Sequence, residues 1–256
     1  MKDNDIKKAV KEQYSQIVEQ NQQSCCSADS CSCGCGSDPA AEAILAGYTK
    51  EELAQIPQES ILGLGCGNPA AYAGLKAGET VLDLGSGAGI DIFLASLKVG
   101  PKGKAIGVDM TPEMIKKANK LAKEKDFQNV EFRLGEIEYL PVADNSVDTI
   151  MSNCVINLSP DKAKVFKEAF RVLKPTGKMV ISDIVSEKPL PTEMQDDANA
   201  WSACISGALT KEDYLNKIAG AGFMTREVIA EREFFIESGK EGEMLRMFSV
   251  TVKAEK

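Results

Sequence analysis

The sequence predicts an α/β fold built on a doubly wound, parallel sheet, and three observations point there. The stretch Val81-Leu82-Asp83-Leu84-Gly85-Ser86-Gly87-Ala88-Gly89-Ile90-Asp91 reads as an apolar strand running into a glycine loop and then a helix. About twenty residues further on, a second short apolar strand, Ala105-Ile106-Gly107-Val108, ends in Asp109. Apolar runs at 130–134, 149–152 and 179–182 then alternate with stretches of helical spacing, the pattern of parallel strands covered by helices.

The remaining elements follow in chain order. Ile6, Val10, Tyr14, Ile17 and Val18 recur at helical spacing among charged residues and predict an amphipathic first helix, an arm or lid on the body. Residues 24–37 are Ser, Cys and Gly with little else, too small and polar to build a core, and read as a thiol-rich loop. Two short helices are expected next, with Thr49 and Glu52 at capping-box spacing and Pro57 closing the segment. A glycine-rich loop, Gly63-Leu64-Gly65-Cys66-Gly67-Asn68-Pro69, precedes the first strand. After the fifth strand an insertion over 187–209 carries Pro189, Pro191 and the single tryptophan, Trp201, where insertions often cover substrate. A helix at 211–221 and two strands at 226–236 and 246–252 close the chain. This divides it into 1–37 (helix and Cys-rich loop), 38–186 (ligand-binding α/β domain) and 187–256 (covering insertion, helix and strands), with no internal repeat.

Composition narrows the function. With 256 residues and 43% apolar content the chain is long enough to bury a substantial core. A formal charge of -8, with Lys and Arg scattered, argues against a nucleic-acid partner and for a small-molecule substrate. No apolar run approaches a membrane span and the N-terminal segment lacks a signal-like apolar region, so a cytoplasmic protein without membrane contact is expected; a monomer is taken as the default, which no sequence feature decides. Eight cysteines in a reducing compartment point to ligands or reactive thiols rather than a disulfide framework. The absence of histidine removes the usual general base near neutral pH, which favours a soft acceptor that carries its own lone pair.

Glycine spacing identifies the ligand class. The dinucleotide fingerprint is G-x-G-x-x-G, whereas Gly85, Gly87 and Gly89 are spaced G-x-G-x-G, with Asp83 two residues ahead. An acid there suits an ammonium group better than a phosphate. The pattern resembles the nucleotide loop of class I S-adenosyl-L-methionine-dependent methyltransferases, and the resemblance implies that Asp109 accepts from the ribose hydroxyls. It further implies that Glu136 accepts from the adenine amino group, with Ile137 as its apolar flank. The plain alternative for Glu136 is a solvated turn, and for Met110, a candidate packing partner of the base, a core methionine. Asn153, at the end of the fourth strand, is expected to face the methionine part of the cofactor or to serve as a turn residue.

Cys66, Cys154 and Cys204 stand singly in the glycine loop, at the end of the fourth strand and in the insertion. Any one alone reads as a small buried residue. Together they map to segments that a doubly wound fold brings above the carboxyl edge of its sheet, where three thiolates can surround a soft ion. Here the chain resembles the microbial arsenite S-adenosylmethionine methyltransferases. The resemblance rests on residues 63–69 and 81–91, on Ser152-Asn153-Cys154-Val155-Ile156-Asn157-Leu158, and on Trp201-Ser202-Ala203-Cys204-Ile205-Ser206-Gly207-Ala208-Leu209. It implies that Cys66, Cys154 and Cys204 bind arsenic(III), presented as arsenite or its thiol conjugates, and that a thiol reductant, glutathione or thioredoxin, is co-substrate. A further cysteine of that family lies upstream of the glycine loop. Cys25, Cys26, Cys31, Cys33 and Cys35 compete for its redox or relay place, with Cys31 and Cys35 favoured. The competing readings are a carbon or oxygen methyltransferase acting on a small organic molecule, and a thiol-rich metalloid buffer or sensor.

Overall fold

The computed structural model describes residues 3–22, 38–195, 201, 204–238 and 243–256. Helices α1 (Asp3–Gln22), α2 (Pro39–Leu45), α3 (Lys50–Ala54) and α4 (Pro69–Tyr72) precede the sheet. The alternating part runs β1 (Thr80–Leu84), α5 (Ile90–Val99), β2 (Lys104–Asp109), α6 (Pro112–Glu124), β3 (Val130–Leu134), β4 (Val147–Asn153), α7 (Lys162–Val172) and β5 (Leu173–Ser186). The chain continues through α8 (Thr192–Gln195), α9 (Lys211–Gly220), β6 (Thr225–Glu237) and β7 (Met244–Glu255), with 3-10 turns at Gln58–Ser60 and Ile156–Leu158.

The seven strands form one sheet in the order β3-β2-β1-β4-β5-β7-β6. The first five pair in parallel with one another. The parallel character expected of the sheet holds only there, because β7 runs antiparallel to both β5 and β6. The closing strands form a hairpin, which needs no crossover helix and so reverses direction. They extend the same sheet, although the composition boundary at 186/187 sets them apart in sequence. The fifth strand also exceeds the apolar run at 179–182, since pairing with β7 from Lys178↔Glu255 to Ser186↔Met247 carries polar residues that an isolated strand would not recruit.

Strand alternation explains how both faces are covered. On β1, Val81 packs with Ile92 and Phe93 of α5 and Leu121 of α6. Leu82 and Leu84 point the other way, into a cluster with Phe166 of α7 and Tyr214 of α9. The predicted capping box is present on α3: Thr49 Oγ1 accepts from Glu52 N–H and Glu52 Oε2 from Thr49 N–H, both at 3.1 Å. Helix α1 packs over the carboxyl edge, where Ile6 and Val10 join Cys154, Leu158, Trp201 and Cys204 in one apolar cluster. No helix among the described residues is long and apolar enough to cross a membrane. From β1 the chain winds outward to β2 and β3, then returns to β4 on the other side, so a crevice opens beyond the ends of β1 and β4.

Candidate active site

The crevice is a cavity lined by the β1–α5 loop, the end of β2, the segment after β3, the end of β4 and one face of α1. Gly85 turns the chain sharply out of β1 with φ 70°, and its amide donates to Val108 O at 2.7 Å. A Cβ at this position would run into the Val155 side chain, so the loop is closed to any larger residue. Gly87 N–H donates to Asp109 Oδ2 at 2.9 Å and Thr111 N–H to Oδ1 at 2.8 Å. Asp109 therefore fastens the glycine loop to the end of β2. Gly89, the N-cap of α5, does not line the cavity; a Cβ there would meet Phe132 and Phe93, so its role is to let helix and sheet approach.

The floor of the cavity is acidic. Asp83, Asp91 and Asp109 line it and all three are buried. Burial raises Asp83 well above its ordinary value, and the neighbouring Asp91 and Asp109 charges add to this. Burial likewise pushes Asp91 up to about 6, against the hydrogen bonds from Tyr48 and Asn153. Asp109 is raised by burial and held back by the Thr111 and Gly87 amides. Asp83 Oδ1 has no hydrogen-bond partner among the described residues. Buried acids around an unpartnered oxygen make a site for a cation.

Met110 and Ile137 line the cavity; Glu136 does not. Its carboxylate turns to Lys7 of α1 at 2.7 Å and is half exposed. Glu138, two positions on, lines the cavity instead, accepting from Ser159 Oγ at 2.6 Å and pairing with Lys7 at 3.1 Å. Asn153 lines the cavity, but its carboxamide is engaged by the Cys66 loop, Tyr48 and Asp91.

The three separated cysteines come together. Cys66 and Cys154 form a disulfide with Cα atoms 5.8 Å apart, and the Cys204 thiol donates to Cys154 O at 2.7 Å. Cys154 lines the cavity, which places the sulfur cluster at its edge. In this state Cys204 is the free thiol among the described residues, whereas three separate thiolates were expected. A Cα separation of 5.8 Å is one that a disulfide spans. Cys154 and Cys204 both adopt left-handed backbone, with φ 56° and 62°, a conformation that costs a non-glycine residue about 1–3 kcal/mol. Cys31 and Cys35, with the rest of the thiol-rich loop, lie outside the described residues.

Behind Cys204 lies a buried lysine that the sequence pattern does not reveal. Lys162 Nζ donates to the carbonyls of Asn157 at 3.2 Å and Ser159 at 2.9 Å, and sits 5.5 Å from the Trp201 ring centroid. Burial lowers Lys162 to about 8, offset by the Asp183 charge, while burial raises Asp183 to about 6. Burial also pushes the Cys204 thiol up, so it stays protonated until a ligand displaces the proton. Tyr48 and Asp91 were missed as well. Only Asp91, an acid opening a helix directly after a glycine loop, carried a local signal.

Comparison with known proteins agrees with this geometry. The family described as a methyltransferase domain matches residues 75–222. An arsenite methyltransferase of Halobacterium salinarum is 46% identical over 237 residues, covering 90% of this chain and 60% of that protein. One of Aquipseudomonas alcaligenes is 38% identical, covering 80% of this chain and 62% of that one. The chain thus spans roughly three fifths of the length of these curated relatives. The crystal structure of an arsenic(III) S-adenosylmethionine methyltransferase from Chlamydomonas reinhardtii is 37% identical with a TM-score of 0.67, and the match covers 86% of this chain and 75% of that one. On these matches the chain belongs to the arsenite methyltransferase family, built on a class I S-adenosylmethionine-dependent methyltransferase domain.

Proposed function

We propose that this chain methylates trivalent arsenic, binding it through Cys66, Cys154 and Cys204 beside a bound S-adenosylmethionine. The observation that carries the reading is the meeting of three cysteines, from positions far apart in sequence, at the edge of a cavity whose floor is made of buried acids. The names of the matched relatives support it.

The cavity fits the cofactor by the chemistry of its donors. Asp83, with an unpartnered buried oxygen, takes the ammonium group; Asp109 takes the ribose hydroxyls; Met110, Ile137 and Gly135 flank the base. When bound, the cofactor supplies a methyl group made electrophilic by its sulfonium sulfur. Helix α1, through Val10 and Tyr14, excludes water from above. In this reading α1 is the arm over the site and the segment carrying Trp201 and Cys204 its substrate cover.

Arsenic enters as substrate. The Cys66–Cys154 disulfide must first accept two electrons and two protons from a thiol reductant, either a dithiol such as thioredoxin or two glutathione molecules, giving two thiols. Arsenite then exchanges its three hydroxides for three sulfurs; each thiol proton leaves with a hydroxide as water, so no base is needed. A trigonal thiolate site leaves arsenic its lone pair, the nucleophile that methylation requires, and the protein's contribution is alignment. When methylation raises arsenic formally by two electrons, Cys66 and Cys154 can return two by closing their disulfide.

The test incubates reduced protein with arsenite, a thiol and S-adenosylmethionine, and reads arsenic species by chromatography coupled to mass detection. Methylarsenicals that require the cofactor are expected, and Cys204→Ser is expected to abolish them while still binding S-adenosylhomocysteine. Arsenite that binds without being methylated, or parent-level methylation by the Cys204 variant, would overturn the reading.

A further inference from the structure

We infer that Asn153 is a positioning residue for the Cys66 thiol: its carboxamide, rather than the disulfide, sets the separation of Cys66 from Cys154. This rests on the reading of those two cysteines as one thiol site. Asn153 Oδ1 accepts from Cys66 N–H at 3.0 Å and from Gly67 N–H at 3.2 Å. Its Nδ2 donates to Gly67 O at 2.7 Å, to Tyr48 Oη at 2.9 Å and to Asp91 Oδ2 at 3.3 Å. Two acceptor directions and two hydrogens are thereby consumed, leaving no polar capacity for a cofactor. The orientation is forced, since a flipped amide would set its NH₂ against two backbone N–H groups and its oxygen against a backbone carbonyl.

The loop is shaped to lie on this side chain. A Cβ at Gly65 would come within 2.6 Å of Asn153 Nδ2, and one at Gly67 within 2.6 Å of Ser182 Cβ, so the residues flanking Cys66 have room only for hydrogen. From the other side Ser249 Oγ on β7 donates to Cys66 O at 2.7 Å. The Cys66 peptide is therefore held at both its N–H and its C=O. Asn153 in turn is braced by Tyr48, whose hydroxyl donates to Asp91 at 2.9 Å. Asn153 adjoins Cys154 in the chain, and Cys154 N–H donates to Ser182 O at 2.8 Å. One side chain thus ties the Cys66 loop to the strand end that carries the second thiol, and reduction of the disulfide leaves the tie intact. The thiols stay assembled for a soft ion to bridge.

The experiment equilibrates the full chain in glutathione redox buffers, traps thiols by alkylation, and reads the Cys66–Cys154 pair by peptide mass mapping. This gives the effective concentration of one thiol at the other. Asn153→Ala is expected to lower it about tenfold or more, the worth of roughly one lost buried hydrogen bond or two, and to raise the arsenite concentration needed for half-saturation. S-adenosylhomocysteine affinity, measured by calorimetry, is expected to stay within about threefold, less than one hydrogen bond is worth. An unchanged effective concentration would overturn the inference, as would a cofactor affinity that falls as far as the thiol coupling. Should Asn153→Ala fail to fold, Asn153→Ser keeps a small polar side chain too short to span from Cys66 N–H to Gly67 O, and an unchanged effective concentration in that variant would overturn the inference equally. Because the redox readout needs no arsenic, wild-type protein that fails to bind arsenite would sink the proposed function while leaving this measurement decisive.

Discussion

Burial, together with the facing carboxylates of Asp91 and Asp109, raises Asp83 above its ordinary value, and its Oδ1 lacks a partner among the described residues. A carboxyl raised in this way gives up its proton more readily once a cation lies beside it, so binding of S-adenosylmethionine should expel protons into solvent. Calorimetry near neutral pH in two buffers of different ionisation enthalpy measures the release directly. Asp83→Asn should lessen it and weaken binding about tenfold or more, the value of one hydrogen bond to a charged group. Proton-neutral binding in the parent, with an Asn variant that binds within twofold, would remove Asp83 from the cation's shell. The sequence could place Asp83 and Asp109 on one cavity because they sit at the ends of the two strands of a single strand–helix–strand unit. Asn153 was legible only as a strand end facing the crevice, since its role depends on partners 86 and 87 positions away. Glu136 and Glu138 show the same limit: two residues apart on one loop, they point to different surroundings, which no local pattern records.

At the scale of elements, α1 joins the two halves of the site. Lys7, Val10 and Tyr14 line the cofactor cavity, while Ile6 and Val10 pack against Cys154, Leu158, Trp201 and Cys204. Lys7 fastens the helix through Glu136 and Glu138, and Ser15 Oγ donates to Glu113 on α6 at 2.9 Å. Replacing Lys7 with Met keeps the aliphatic stem but leaves Glu138, only 6% exposed at its side chain, without its cation. The helix should then lift more often, and stopped-flow displacement should find S-adenosylhomocysteine leaving about three- to tenfold faster, equivalent to ~1 kcal/mol of lost closure. A release rate equal to the parent's would mean that α1 does not gate the cavity. The helix itself was readable from apolar spacing at Ile6, Val10 and Tyr14, and the cap at Thr49 from its box. Long β5 and the direction of β7 were not, because strand length and direction in a sheet are fixed by neighbours distant in sequence.

Across the whole molecule, buried acids set how stability responds to pH. Asp91 and Asp183 are both raised by burial to about 6. In the unfolded chain each loses its proton near the ordinary value of 3.8, so between there and about pH 6 the folded state holds more protons than the unfolded one. Stability contributed by these groups is therefore complete below that window and declines as pH rises through it, by up to ~1.4 kcal/mol per pH unit for each. Lys162 acts in a different range: lowered by burial from 10.5 to about 8, it leaves the folded state with fewer protons between those values, so stability rises with pH there. Glu131 opposes the acids at low pH, since Arg133 and Lys104 hold it down at about 2, but it is exposed enough that screening makes its share small. Asp91→Asn isolates one group. In urea denaturation the variant should gain on the parent as pH is raised from 5 to 7, by on the order of 1–2 kcal/mol, because the parent must ionise a buried carboxyl over that range and the amide never does. A stability difference that stays constant from pH 5 to 7 would show that Asp91 is already ionised in the folded protein at pH 5. Tyr48, Asn153 and the charge of Lys98 would then outweigh its burial, and the cavity floor would hold a standing negative charge before any cation binds.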